Sequence, residues 1–314
     1  MRCKRVPNEA ILYCSATKIG EGSPMFTFLK NSLRHLLNRL FSPIVNAITT
    51  QNAILQSQHN FLMRAEWARS ISTAKNPLNR FGAKYFSQTD EDGITLEIIK
   101  RLGIKVGTFA EIGVGNGLEN NTLILLANGW HGFWIGAEDL AFNHKLNPKR
   151  FVFYKTWVSV ENVVLLIRQG FESVGINELD VLSLDVDGND LFIARELLTT
   201  GILPKLFILE YNAKFPPPIK WTIKYDANHS WDLTDYQGAS LTLFSELMAE
   251  FSYTLVCCNA ATGANAFFVK NEYLSHFADV PKNIEDIFIG CRYPLFYRWG
   301  HPPSPRTIEQ MLAD

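Results

Sequence analysis

The chain has 314 residues, of which 47% are hydrophobic and 19% are charged, and its net charge is −1 at pH 7. This length suffices for one large domain with an appendage or for two small domains, and the near-neutral charge excludes a global field that would draw the chain to nucleic acid. Five cysteines without metal-site spacing, and the lack of an apolar run of roughly 18 residues, predict a cytoplasmic protein with reduced thiols and no membrane span.

The N-terminal residues predict helix and not a folded domain. Residues 1–24 carry little pattern, so we expect them to be poorly ordered, and both Met1 and Met25 are compatible with the start of the native chain. In residues 25–74, apolar side chains recur at helical spacing. Pro43 predicts a break of this stretch into two helices.

The helical extension carries an apolar seam. Phe41, Ile48, Leu55 and Leu62 are spaced seven residues apart, which indicates a weak coiled coil. We therefore expect residues 26–70 to pack on the rest of the chain or to form a homo-oligomer. Basic residues beside the first leucines leave peripheral contact with the inner face of a membrane as the alternative.

Residues 81–270 alternate between strand-like and helix-like runs, after an expected linker at residues 75–80. Such alternation predicts a mostly parallel sheet with helices on both faces, and a closing hairpin adds one antiparallel strand. Residues 271–314 are rich in proline and aromatic residues and are expected to pack on this domain as a tail. The predicted strands span residues 109–112, 132–137, 151–158, 180–186, 205–211, 253–258 and 266–270.

A glycine-rich stretch at residues 108–121, TFAEIGVGNGLENN, forms the first strand and the loop after it. Glycines between a strand and a helix let the backbone approach a nucleotide closely. An acid stands two residues before the first glycine, which suits a ligand with a cationic end, and the glycine spacing differs from the G-x-G-x-x-G of dinucleotide sites. The stretch resembles the first motif of class I S-adenosylmethionine-dependent methyltransferases. We predict cofactor contacts from Glu111, Gly113, Gly115, Gly117 and Asn121.

Other candidate site residues follow the later strands, because ligands of such sheets bind beyond the carboxyl ends of the strands. Glu138 is predicted to bind the ribose hydroxyls and Ser159 to lie near the adenine. The fourth strand ends in LSLDVDGND, and its Asp185 is predicted to lie beside the methyl group as a general base. Together with Asp187 or Glu210, it is also a candidate ligand of a divalent metal ion that helps to deprotonate a hydroxyl.

The fifth strand is followed by a long polar and aromatic loop at residues 214–240. A loop of that length inside a compact domain is usually functional, and its side chains suit a glycan or polyol. His229 is a candidate base in this loop, beside the candidate carboxylate Glu210. A structural or solvated histidine is the alternative.

Several motifs between Tyr85 and Lys270 together resemble the FkbM-type methyltransferases: SQTDEDG, EIGVGNGLENNT, LSLDVDGND and LFILEYN. The resemblance implies S-adenosylmethionine as methyl donor and a hydroxyl as acceptor, often on a sugar or a secondary metabolite. It also implies that Gln88 and Asp92 help to cover the cofactor. The fold implied is Rossmann-like, with a seven-stranded, mostly parallel sheet and a C-terminal antiparallel hairpin.

Three functions are compatible with these features. The first is an O-methyltransferase acting on a small-molecule or glycan hydroxyl. The second is a non-catalytic scaffold of the same fold in a glycan-assembly complex, recruited through its N-terminal helix. The third is an NAD-dependent enzyme acting on sugars, which the glycine spacing and the closing hairpin disfavour.

Overall fold

The computed structural model describes residues 24–292 and 301–313. The expected disorder before residue 24 lies outside the described residues. So does the aromatic part of the predicted tail, at residues 293–300.

A seven-stranded sheet forms the centre of the main unit. Its strand order is β3-β2-β1-β4-β5-β7-β6, and β7 alone runs in the direction opposite to the other six strands. The expected mostly parallel sheet with a terminal antiparallel hairpin is thus confirmed, and this order is that of the class I methyltransferase fold. The strands are β1 Thr108–Ile112, β2 His131–Gly136, β3 Phe151–Lys155, β4 Val181–Leu184, β5 Leu206–Glu210, β6 Tyr253–Cys258 and β7 Asn265–Lys270.

Helices connect these strands and cover the sheet. Strands β4 and β5 are buried throughout, and the residues Leu206 to Leu209 of β5 have no exposed surface. Such continuous apolar runs are typical of parallel strands that are covered on both faces. The helices of this layer are α2 Glu91–Arg101, α3 Leu123–Ala127, α4 Val163–Val174, α5 Asp190–Thr199 and α6 Leu241–Glu250.

The N-terminal helix α1 is continuous from Pro24 to Thr73. The predicted break at Pro43 is therefore wrong. A proline removes one hydrogen bond from a helix and is compatible with a bend, so the turns on both sides can continue. Among the described residues, 24–66 belong to a compact unit separate from the unit that begins at Trp67.

Apolar side chains along α1 are exposed. Exposed fractions run from 43% for Leu37 to 71% for Phe61. Self-association of residues 26–70 stays a prediction. Within residues 24–292 and 301–313, no helix combines the length and the apolar character needed to cross a bilayer.

Residues 75–80 do not form the expected linker. A 3₁₀ helix spans Pro77–Phe81, and its Leu78 and Asn79 are buried. The Asn79 amide donates a hydrogen bond of 2.7 Å to the carbonyl oxygen of Cys258 on β6, and Asn76 donates to Val256 on the same strand at 2.7 Å. These two side chains bind the segment to the sheet. Pro77, on which the expectation of a linker is based, gives no indication of such contacts.

The described part of the C-terminal tail packs on β6 and β7 over residues 271–287, and on the long loop at residues 214–240 over residues 301–313. It contains a 3₁₀ helix Asn271–Phe277 and the helices α7 Ile284–Ile287 and α8 Pro305–Ala313. The buried carboxylate of Asp235 accepts hydrogen bonds from Ser304 N at 2.8 Å and Thr307 Oγ1 at 2.7 Å, at the start of α8. The loop also has a small apolar core of its own, formed by Phe215, Trp221, Ile223 and Tyr236.

Candidate active site

The glycine loop after β1 lies against the end of β4. Gly113, Gly115 and Gly117 all have positive φ angles, of 89°, 49° and 80°. A methyl group at Gly113 would lie 1.6 Å from the carbonyl oxygen of Asp185. Glycine is therefore required at Gly113 for both its φ angle and this close approach. The contact brings two of the predicted site segments together.

Glu111 at the end of β1 is buried and bound by the start of α3. Its carboxylate accepts hydrogen bonds from Asn121 N at 3.0 Å, Thr122 N at 3.0 Å and Thr122 Oγ1 at 2.6 Å. Burial raises the pKa of Glu111, and the hydrogen bonds from Thr122 and Asn121 oppose that rise. Glu111 thus holds the loop in shape, and its contact with a cofactor stays a prediction.

Asn121 connects the glycine loop to two other strands. Its amide donates to Ser183 Oγ on β4 at 3.1 Å and to Asn265 Oδ1 on β7 at 3.4 Å. The Asn265 amide in turn donates to Glu91 Oε1 at 3.3 Å. A buried polar network therefore joins the carboxyl edge of the sheet to the start of α2.

Asp92 organises the segment that leads into α2. Its Oδ2 accepts hydrogen bonds from the backbone N–H groups of Tyr85, Phe86 and Ser87 at 2.7, 2.6 and 2.8 Å. The side chain of Asp92 has no exposed surface, so it shapes the segment from inside. Gln88 is partly exposed beside it, and a covering role for either residue stays a prediction.

Sequence reasoning missed the buried acids beside Asp92. Asp90 accepts hydrogen bonds from Ala260 N at 2.8 Å and Ala261 N at 3.2 Å, in the turn between β6 and β7. Burial, and then the negative charge of Glu91, raise the pKa of Asp90 to about 6. The sequence did contain a feature that could have indicated this contact, namely the run of acids in SQTDEDG together with the closing hairpin. Both ends of that hairpin turn lie at the carboxyl edge of the sheet.

Three carboxylates converge where β4 and β5 end. One oxygen from each of Asp185, Asp187 and Glu210 lies within 4.8 Å of the others. Glu210 is 5% exposed, and its Oε2 accepts no hydrogen bond within the described parts of the chain. Burial, and then the charge of Asp185, raise the pKa of Glu210 well above its usual range. The predicted grouping of acids is present, and its roles stay predictions.

Asp190 braces the loop that carries two of these acids. Its buried carboxylate accepts hydrogen bonds from Val186 N at 2.8 Å and Gly188 N at 2.9 Å. Burial, and then the charge of Asp185, raise the pKa of Asp190 to about 7. In residues 24–292 and 301–313, no lysine or arginine forms an ion pair with Asp185, Asp190 or Glu210. This end of the sheet therefore gathers several carboxyl groups without a paired lysine or arginine among the described residues.

His229 comes from the long loop and packs on the same β4 loop. A methyl group at Gly188 would lie 2.2 Å from its Cδ2 atom. The imidazole is 7% exposed, and its Nε2 has no hydrogen-bond partner among the residues that the structure describes. Burial, and then the charge of Arg306, lower the pKa of His229, which keeps the ring neutral. The structure brings this predicted residue to the acidic strand end.

The two residues predicted near the nucleoside lie at the ends of β2 and β3. Glu138 is exposed two residues after β2. Its neighbour Asp139 forms an ion pair with Lys155 at 2.7 Å. Ser159 is 9% exposed, and its backbone N–H donates to Asn162 Oδ1 at 2.9 Å, just before α4. Both positions are compatible with a ligand above the sheet, and both roles stay predictions.

Comparison with known proteins adds only distant likenesses. No protein-family model and no curated protein sequence matches the chain. A candidate hemolysin of Lactococcus lactis is 16% identical with a TM-score of 0.37, and the match covers 62% of this chain and 92% of that one. A 1,6-didemethyltoxoflavin N1-methyltransferase of Burkholderia thailandensis, with bound S-adenosylhomocysteine, is 11% identical with a TM-score of 0.34, covering 81% and 93%.

An O-methyltransferase family 2 protein of Planctomyces limnophilus is 14% identical with a TM-score of 0.32, and the match covers 68% of this chain and 61% of that one. TM-scores below 0.5 are too low to support an inference about activity. The fold is therefore assigned from the order of the strands. By that order, the chain has the class I methyltransferase fold.

Proposed function

We propose that the chain is an S-adenosylmethionine-dependent O-methyltransferase whose acceptor is a hydroxyl of a sugar, a glycan or a related metabolite. The observation that carries the proposal is the contact between Gly113 and the carbonyl oxygen of Asp185. Because of it, a glycine-lined loop lies directly against an acidic strand end. This combination suits a ligand that is both close to the backbone and positively charged.

The charge of the site favours this cofactor over NAD. S-adenosylmethionine carries an α-ammonium and a sulfonium group, and the acids gathered at this edge of the sheet favour such a cationic ligand. The diphosphate of NAD would bring further negative charge to an edge that already holds several carboxylates. The alternating glycines also differ from the spacing that a dinucleotide needs.

The bound cofactor supplies an activated methyl group. In the transfer, the acceptor oxygen forms a bond to the methyl carbon, the carbon–sulfur bond breaks, and the hydroxyl proton passes to a base. Asp185 is the proposed base, and His229, neutral and with an Nε2 unpartnered among the described residues, is a second acceptor for that proton. Most of the acceleration would come from holding the two reactants in line.

The long loop supports the choice of a polar acceptor. Gln237 is 2% exposed, and neither its Oε1 nor its Nε2 has a partner among the described residues. A buried amide of this kind is available to a ligand with hydroxyl groups. By contrast, Tyr225 already donates to Glu161 at 2.7 Å, and Trp231 donates to Thr234 at 2.7 Å. Gln237 is thus the more suitable of the loop residues for recognising the acceptor.

Binding is tested first, because it separates the proposal from an NAD enzyme and from a scaffold. S-adenosylhomocysteine or NAD at 100 times its dissociation constant would stabilise the chain by about 2.7 kcal/mol. We expect a rise of the melting temperature with S-adenosylhomocysteine and none with NAD. A rise with NAD alone, or with neither ligand, contradicts the proposal.

Turnover is tested next, with labelled S-adenosylmethionine and a panel of mono- and oligosaccharides. Asp185→Asn should abolish methyl transfer while the affinity for S-adenosylhomocysteine changes little. Asp232→Asn is the matched control, since Asp232 is exposed in the long loop. Unchanged turnover in Asp185→Asn would rule out its role as base.

The exposed apolar face of α1 favours a second role for the N-terminal unit. We propose that residues 26–70 self-associate through the seam of Phe41, Ile48, Leu55 and Leu62, which are all more than half exposed in the single chain. Sedimentation of the full chain should show a dimer or larger species that Leu55→Lys dissociates. A monomeric wild-type chain that binds anionic vesicles would instead support the membrane alternative.

A further inference from the structure

We propose that Asp185, Asp187 and Glu210 bind one divalent metal ion, of the Mg²⁺ or Mn²⁺ type. The three carboxylates come from the ends of two neighbouring strands, and one oxygen of each lies within 4.8 Å of the other two. A single ion bound by three oxygens at about 2.1 Å requires oxygens no farther apart than about 4.2 Å. Small side-chain adjustments therefore bring the three within reach of one ion.

The unpartnered oxygen of Glu210 is a second observation that indicates a ligand. This side chain is 95% buried, as its 5% exposure shows, yet Oε2 accepts no hydrogen bond from the described residues. Buried carboxylate oxygens are rarely left without a partner, because losing water costs free energy that a donor or a cation must offset. No lysine or arginine in the described ranges forms an ion pair with Glu210.

The surroundings of the cluster hold it in place from two sides. Asp190 accepts hydrogen bonds from Val186 N and Gly188 N, and so fixes the loop that carries Asp187. Asp187 has a φ angle of +57°, a conformation that aspartate and asparagine tolerate better than most residues. His229 packs on Gly188 and closes the loop side of the site.

The ligand types decide which ion fits. Three carboxylates provide only hard oxygen donors, which suit Mg²⁺ or Mn²⁺, whereas structural zinc sites use cysteine and histidine. Mg²⁺ prefers six ligands and keeps several of them as water or substrate oxygen. Three protein ligands therefore leave positions for an acceptor hydroxyl.

The role of the ion rests on the proposed function. Placed beside the acceptor, a divalent cation stabilises the negative charge that develops on the oxygen as its proton leaves. With Asp185 bound to the ion, the proton would pass to His229, the second acceptor named in the proposed function. The site itself is testable without any methyl transfer.

The experiment measures Mn²⁺ binding to the full chain by electron paramagnetic resonance after treatment with a chelator. Titrations are run with and without saturating S-adenosylhomocysteine. We expect one Mn²⁺ per chain in at least one condition, with Mg²⁺ competing for it. Failure to bind Mn²⁺ in both conditions overturns the metal site, even if a melting shift with S-adenosylhomocysteine supports the methyltransferase.

Two variants locate the ion. Glu210→Gln removes a charge and keeps the shape, and Asp187→Asn keeps a side chain that tolerates the positive φ angle. Each should weaken Mn²⁺ binding at least tenfold. Glu246→Gln is the matched control, because Glu246 is half exposed on α6 and pairs with Lys220. Equal affinity in wild type, Glu210→Gln and Asp187→Asn would show that Mn²⁺ binds elsewhere and would overturn the assignment.

Discussion

Glu111 and Glu210 occupy similar positions in the sheet but differ in the hydrogen bonds that their carboxylates accept. Each is the acid at or beside the end of an apolar central strand, and they are 4% and 5% exposed. Glu111 receives three hydrogen bonds from Asn121 and Thr122, whereas Oε2 of Glu210 receives none from the described residues. One acid therefore completes the fold, and the other is available to a ligand.

The difference arises from the segment that comes after each strand. After β1, the chain turns back through the glycine loop and brings the N–H groups of Asn121 and Thr122, just before α3, onto the carboxylate, where a negative charge is stabilised. After β5, the chain enters the long loop, whose described residues bring no donor to Oε2 of Glu210. Instead, Asp185 and Asp187 approach it. Like charges gathered without a cation are unfavourable, which is the physical basis for expecting a cationic ligand there.

The largest loss of stability is expected when the hydrogen bonds to Glu111 are removed. Glu111→Ala leaves two backbone N–H groups and the Thr122 hydroxyl without their acceptor. Each buried donor left unpaired costs about 1–3 kcal/mol, so for three donors we expect a loss of at least about 3 kcal/mol in the free energy of unfolding. Urea denaturation measures it, with Glu119→Ala as control, since Glu119 is exposed in the same loop. A loss below about 1 kcal/mol would show that the three hydrogen bonds do not hold the loop.

Gly113→Ala should break the contact between the glycine loop after β1 and Asp185 at the end of β4. Alanine at a φ angle of +89° costs about 1–2 kcal/mol, and the overlap with the Asp185 carbonyl oxygen should add about 1–3 kcal/mol. Gly129→Ala is the matched control, because Gly129 has a φ angle of +88° and open space around it. We expect Gly113→Ala to be less stable than this control in urea denaturation and to bind S-adenosylhomocysteine weakly. Equal stability of the two variants would mean that the strand ends separate freely.

A third acid, Asp90, combines features of both regions. It accepts backbone hydrogen bonds like Glu111, yet burial and the charge of Glu91 raise its pKa from 3.8 to about 6. Between about pH 4 and pH 6, the folded chain thus retains a proton that the unfolded chain has lost. The contribution of Asp90 to stability is therefore full below about pH 4 and falls as pH rises through this window, by at most about 1.4 kcal/mol per pH unit.

Unfolding measured in urea from about pH 3.5 to about pH 7.5 checks this dependence. The stability of Asp90→Asn should fall less steeply than that of wild type inside the window, whatever its value at a single pH, because only the contribution of Asp90 is removed. Above the window, the curves of wild type and variant should run parallel. If the free energy of unfolding of the variant falls with pH as steeply as that of wild type inside the window, the retained proton belongs to another group.

The strands were predictable from the sequence because apolar runs bounded by glycine and polar residues mark them directly. The prediction for β6 matches its bounds, 253–258, and β3 ends at Lys155, before the predicted Val158. The binding of residues 75–80 to β6 was not predictable, because Asn79 and Cys258 are 179 residues apart in the chain. Local patterns carry no information on such contacts.

The grouping of the site acids was predictable, but their hydrogen-bond partners were not. Parallel strands bring Asp185 and Glu210 to one edge by topology alone. Whether a carboxylate finds donors depends on where the next helix begins, and for Glu111 that is set by the fold of the glycine loop. The missed acid Asp90 obeys the same logic, since its donors Ala260 and Ala261 lie in a distant turn.

The smallest change in stability is expected for Glu210→Gln, and this variant tests the difference between Glu111 and Glu210 most directly. Glu210→Gln removes no hydrogen bond that a described residue makes to Oε2 and reduces the repulsion with Asp185, so the free energy of unfolding without metal should change by less than about 1 kcal/mol or rise. Methyl transfer should nevertheless be lost. Urea denaturation in the presence of a chelator gives the first quantity, and labelled S-adenosylmethionine gives the second. A large loss of stability would mean that Glu210, like Glu111, completes the fold, and the two strand ends would then no longer differ in kind.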